Sequence, residues 1–432
     1  MSAALLAAIA AVAVSVLSGQ ALEAQPSNQA PERIAATGGR LVLTASPGGA
    51  STAETTAGRR ALEAAFSRES YAPGSTAVLR LWGAPATVTV QVFRTGPERV
   101  RTRGNREMRG IPVSKPTAAR GSQALRVRIG NWPTGMYFAR ISADHSIAFA
   151  PFVLRPRRLG EHRVAVVLPT LTWQAYNFRD DDGDSSADTW YADRSKKSLR
   201  LARPYRDRGV PMRFRSYDLP FLHWLAWNDR PVDYLAQADL ERVSTARQLR
   251  RAYDLVIFPG HHEYVTKHEF DLITAYRDLG GNLMFLSANN FFWRVVRRGE
   301  MLELIAMWRD LGRPEAALIG VQYVACCESE LRGPYVVRSA GRFPWLFDGM
   351  DLRDGSAFGS FGIEVDRIHP ASPRGIRVIA EIHGASPAGQ MTYYERGGAR
   401  VFAAGAFTLG GSATRAFGAK LLDNLWEHMT RG

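Results

Sequence analysis

Residues 255–270 read LVIFPGHHEYVTKHEF, an apolar run that gives way to His261, His262, Glu263 and Tyr264. These side chains move protons or bind metals. Three further runs end the same way. VAVVLPT leads into TWQAYN with Tyr176 and Asn177, PMRFRS into Tyr217 and Asp218, and NLMFLS into Asn289 and Asn290. Ligands of open parallel sheets sit outside the carboxyl ends of the strands. Four strand ends carrying polar and aromatic groups to one edge therefore predict a functional site. Each residue also has a plainer reading. Tyr176 and Tyr217 could plug the space between sheet and helix, Glu263 could cap a helix, His261 and His262 could lie on the surface, and Asn289 could form a turn. Other chemistries lack their motifs. No G-x-S-x-G or G-x-C-x-G elbow, H-E-x-x-H helix or glycine-rich phosphate loop accompanies these runs.

The elements that would position these residues are visible as well. The runs Val164–Leu168, Leu255–Phe258 and 283–286 are continuously apolar, as strands covered on both faces are. Thr266 followed by Glu269 has capping-box spacing, FDLITAYRDL carries a helical apolar stripe, and Gly280 and Gly281 supply the stop. The expected fold is α/β, a parallel sheet with helices on both faces in a class I glutamine amidotransferase-like or flavodoxin-like arrangement, over residues 158–432. Before it, STAVLRLW, ATVTVQVFR, ALRVRIGNWPTGMYFARIS and SIAFAPFVLRP alternate polar and apolar residues between turn signals. They predict a small antiparallel, Ig-like β-sandwich over 59–157.

TWQAYN, SYDLPFL, DLVIFPGHHEY, GGNLMFLSANNFFWR and GIEVDR, in that order, resemble the large (beta) subunit of N,N-dimethylformamidase and its relatives, over about Val164 to Leu425. The resemblance implies hydrolysis of a small linear amide by a mononuclear non-haem Fe(III). Its ligands would be Tyr176, Tyr217 and Glu263, with His261 and Asn289 beside them and Glu364 as general base; Glu395 in YYERGG is a weaker claimant. Phenolate and carboxylate are hard oxygen donors that suit such an ion. A free tyrosine has a pKa of ~10, so only a strong Lewis acid keeps two ionised near neutrality. The resemblance also implies a small partner subunit, and leaves open whether this chain has one or forms a homo-oligomer. The alternative reading is a catalytically silent scaffold of the cell envelope with a carbohydrate-recognising sandwich.

Asp180, Asp182 and Asp184 have the spacing of a calcium loop, without the glutamate that completes an EF-hand. A Ca2+ site and a solvated acidic turn are the two readings. The net charge of +14 comes mainly from arginine, since only five of the 55 basic residues are lysines. The arginines are scattered without basic–aromatic interleaving, which argues against nucleic-acid binding. Residues 1–24 contain the apolar run SAALLAAIAAVAVSVL and read as a signal peptide or membrane anchor. An exported location, periplasmic or secreted, follows from the first; the small-residue stretch 25–58 reads as a linker. Cys326 and Cys327 are adjacent and are expected to be small core residues, not a disulfide framework.

Overall fold

In a computed structural model of the chain, residues 39–45, 61–191, 194–327, 331–384, 386–407 and 409–431 are described. The expected leader at 1–24 and most of the expected linker lie outside them. Within that linker, Leu43–Ala45 forms a strand paired antiparallel with Ala124–Arg128.

The alternating segments near the N-terminus build two sheets. One has four strands, in the order Leu43–Ala45, Ala124–Arg128, Thr76–Trp82, Glu63–Phe66; the other is centred on Thr87–Arg94, Gly135–Ala143 and Ser146–Leu154. In Thr76–Trp82 every second residue is buried, so Ala77, Leu79 and Leu81 enter a core shared with Val88, Val90, Val127, Ile141 and Phe152. Hydrogen bonds tie this region to the rest: Phe149 N–H donates to Arg208 O at 2.7 Å, and Tyr234 N–H to the Thr134 side-chain Oγ1 at 2.9 Å.

The largest sheet has nine strands. Its order is Asp233–Ala236, Val164–Leu168, Leu255–Phe258, Asn282–Phe285, Ala399–Ala403, Gln390–Arg396, Arg377–Ile382, Gly333–Val337, Ala357–Phe361. The first five run parallel; the remaining neighbours are antiparallel. Strands account for 35% of the chain and helices for 19%. The flavodoxin-like or amidotransferase-like parallel sheet flanked by helices is therefore overturned in favour of a strand-rich molecule with several mixed and antiparallel sheets. The cause lies in the signal. The runs Val164–Leu168, Leu255–Phe258 and 283–286 mark parallel strands, but Gln390–Arg396, buried at five successive positions between antiparallel neighbours, reads QMTYYER and carries no apolar run to announce it.

A separate four-stranded sheet (Ser198–Arg200, Met301–Met307, Trp293–Arg298, Tyr264–Thr266) and a two-stranded one (Gln322–Cys326 with Glu364–Arg367) complete the framework. Among the described residues no helix is long and apolar enough to cross a membrane. Cys326 and Cys327 are joined by a disulfide, and Cys327 is exposed. This corrects their expected place in the core.

Candidate metal centre

The short helix α1, Thr170–Ala175, starts directly after the strand Val164–Leu168 and Pro169, and its C-cap is Tyr176. All six of its residues are buried. Thr172 Oγ1 accepts from the backbone N–H groups of Glu263 at 3.1 Å and Tyr264 at 3.4 Å, tying α1 to the loop after Leu255–Phe258. On the loop's other side, Phe292 and Trp293 N–H both donate to Glu263 O at 2.9 Å. Gly260 allows the tight passage, because a Cβ there would lie 2.3 Å from Asp218 Oδ1.

These restraints bring five of the six expected residues together. The Tyr176 hydroxyl donates a short hydrogen bond to Glu263 Oε2. His261 Nε2 lies 3.7 Å from that oxygen and 3.4 Å from Glu364 Oε2. Glu364 arrives on the strand Glu364–Arg367. Asn289 follows Asn282–Phe285, and its N–H donates to Asp366 Oδ1 at 2.9 Å. Tyr217 stands further out: it is half-buried, its ring packs on Phe407 at 5.2 Å between centroids, and Phe407 meets the His261 ring edge-on at 4.6 Å. Tyr217 ends the helix Phe214–Tyr217; PMRFRS is thus a turn and helix, not the expected strand.

Other expectations divide. His261 and His262 are buried, which removes the surface reading. His262 faces away, with its ring against Phe258 at 4.9 Å and Nδ1 3.3 Å from Gly260 O. Glu395 is exposed and accepts from Tyr393 Oη at 2.6 Å, apart from the cluster. In the acidic loop, the Lys196 ammonium lies 3.4 Å from Asp182 and 3.2 Å from Asp184 and also bonds Asp188. Asp180 accepts from Gly183 N and Ser185 N. Lys196 offsets part of the charge of this turn, and Asp180, Asp182 and Asp188 still bring carboxylate oxygens within 4.8 Å of one another.

Burial dominates the electrostatics. It pushes the Glu263 carboxyl up to about 7, against the Tyr176 hydrogen bond, and raises Glu364 well above the usual range, with the Glu263 charge adding to it. Burial and then Glu263 hold the Tyr176 phenol neutral. Burial also depresses His261 to about 3, so its approach to two carboxylates is that of a neutral imidazole and not an ion pair. Tyr217 is raised by burial and lowered by Arg213. His261 Nε2, Glu364 Oε2 and Asn289 Oδ1 are buried without hydrogen-bond partners among the described residues. Unsatisfied buried acceptors beside two crowded carboxyls are costly as they stand. A multivalent cation bonded to oxygen would offset that cost and favour ionisation of both the carboxyls and the phenol. The donor set fits a hard cation.

Two participants escaped the sequence reading. Asp366, 1% exposed and raised to about 7 by burial, holds Asn289; its position two beyond Glu364 on one strand was the available signal. Tyr323, raised to about 12 by burial and then by Glu364 and Glu263, adds another phenol beside the acids.

The cluster is thus a buried carboxylate pair with a phenol and an imidazole beside it, a donor set of the kind that suits a hard cation. The chain belongs to the family described as N,N-dimethylformamidase beta subunit-like, C-terminal, which matches residues 122–303 and 297–417. The match begins inside the antiparallel region, earlier than the motifs alone reach. No curated protein matches the chain. Among solved structures, "mmIFT52 N-terminal domain" aligns at 12% identity over 48% of this chain and 86% of its own, with a TM-score of 0.27. A cycloisomaltooligosaccharide glucanotransferase from Paenibacillus sp. aligns at 10% identity over 57% and 34%, with a TM-score of 0.14.

Proposed function

We propose that this chain hydrolyses the C–N bond of an amide at a ferric ion held by Tyr176, Tyr217 and Glu263. The family's description suggests a dimethylformamidase-like hydrolase, and one observation carries the finer reading: the Tyr176–Glu263 bond, with Glu364 and His261 Nε2 converging on it. Bound there, the ion would supply Lewis acidity toward an amide carbonyl and acidify a water. Glu364, its carboxyl raised by burial, takes the proton of the attacking water and returns it to the leaving amine. His261, neutral and beside both carboxyls, orients that water. The Asn289 side chain donates to the developing oxyanion.

Ferric tyrosinate absorbs visible light, so purified protein loaded with Fe(III) is expected to be coloured and to release amine from N,N-dimethylformamide or another short amide. Tyr217→Phe should bleach the band and cut turnover by about 100-fold or more. Full metal content in that variant would remove Tyr217 from the ligand set. Colourless wild-type protein that binds no iron would favour the silent scaffold instead.

A further inference from the structure

A cavity of about 330 Å³ opens behind α1, lined among others by Arg68, Glu69, Gln174, Tyr205, Arg242 and Arg297. Its walls come from the turn after Glu63–Phe66, from α1 and from the helix Gln237–Leu240. The volume falls at the small end of ligand sites. Four arginines line it, Arg68, Arg203, Arg242 and Arg297, against two carboxylates, Glu69 and Glu300. Glu69 Oε2 accepts from Thr170 Oγ1 at 2.5 Å, and its Oε1 lies 2.7 Å from Arg297 Nη2 without an aligned hydrogen bond. Asp239 is shared by Ser70 at 2.6 Å, Arg242 at 3.2 Å and Arg155 at 3.4 Å. Glu300 is held by a two-pronged pair with Arg80, at 2.9 and 2.6 Å, and Glu241 by Thr266. Arg68 has no carboxylate partner among the described residues, and Nη1 of Arg297 is buried without an acceptor.

Arginine forks left short of acceptors around a concave space match the geometry of carboxylate and phosphate. We propose that this cavity is a second binding site, for a small molecule bearing a carboxylate or phosphate, distinct from the metal centre. Such an occupant would touch Gln174 on α1, while Glu69 grips Thr170 at that helix's start; Tyr176 caps the same helix. The inference does not rest on the iron reading.

Isothermal titration of the full chain with succinate, and separately with inorganic phosphate, against chloride at matched ionic strength tests it. One saturable site is expected for at least one probe, and the probe that binds names the head group. Arg68→Ala combined with Arg242→Ala, both solvent-facing, should weaken it by about tenfold or more. Ala238→Phe, which fills the cavity, should abolish binding, and Tyr176→Phe should leave it intact. Heats equal to the chloride control for both probes would overturn the site. So would affinity that survives both the arginine and the filling substitutions, or that disappears with Tyr176→Phe.

Discussion

Asn289 has φ +54°, a left-handed conformation that glycine adopts at less cost and that asparagine tolerates best among other residues. A turn former alone would not need its amide. The Asn289 amide pulls Glu263 and Glu364 down against burial, and the backbone is fixed by Asp366. Asn289→Gly keeps the backbone conformation and deletes only the amide. It should retain iron and its melting temperature, while kcat falls by about 10²–10³ and KM changes little, as for loss of one oxyanion donor. Steady-state kinetics on the iron-loaded variant decide the matter. A kcat equal to that of wild type would return Asn289 to the role of a turn residue.

At the scale of elements, α1 is too short to hold itself, since helices of this length are unstable without tertiary support. Arg203 supplies that support: 1% exposed, it donates to Gln174 O at 2.9 Å and Asp188 O at 2.6 Å. Arg203→Met would leave Asp188 O unpaired and Gln174 O with only backbone N–H donors such as Asn177 N at 3.2 Å, at a cost on the order of 2 kcal/mol. Lower thermal stability and lower iron occupancy should appear together, because Tyr176 caps the helix. Unchanged occupancy in a folded variant would separate the two. This dependence explains what the sequence could and could not convey. Tyr176, Glu263 and Asn289 follow strands that their own apolar runs mark, so their neighbourhood was legible. Glu364 comes from a strand paired antiparallel to Gln322–Cys326, and neither strand has an apolar run; only its motif identified it. The antiparallel half of the nine-stranded sheet was invisible because strands such as Gln390–Arg396 bury polar residues and show no apolar run. Arg203 looks like any of the scattered arginines until the fold buries it. The cysteines misled similarly: Cys326 lies opposite Glu364 in that ladder, bonded to its exposed neighbour. Thiol titration of unfolded, unreduced protein should find almost no free thiol; two per chain would refute the bond.

Over the whole molecule, buried acids set how stability varies with pH. Burial raises Asp218 to about 8 and Glu263 and Asp366 to about 7. The folded chain therefore keeps protons that the unfolded chain has released above its ordinary carboxyl range, and stability must fall as pH rises toward 8. Buried histidines act in the opposite sense. Burial lowers His261 and His262 to about 3 and His428 to about 4, so the unfolded chain binds the extra protons and stability is lost as pH falls below about 6.5. Between about pH 4 and 6.5 the two sets oppose each other. Above 6.5 only the carboxyls remain, and metal-free protein should melt lower at pH 8 than at pH 6.5. The drop is on the order of 5 °C, since ~1 kcal/mol moves the midpoint by roughly 2–4 °C in large domains. Iron changes this slope, because a cation bonded to Glu263 stabilises the ionised carboxylate that the empty cluster resists. Iron-loaded protein should therefore lose less over the same interval, and Glu263→Gln should make the metal-free slope shallower, with Asp218 and Asp366 still titrating, while removing the response to iron. Calorimetric melts of both proteins, with and without Fe(III), at pH 6.5 and 8 measure it. Parallel curves in all four conditions would mean that Glu263 neither carries the raised proton affinity nor meets the metal.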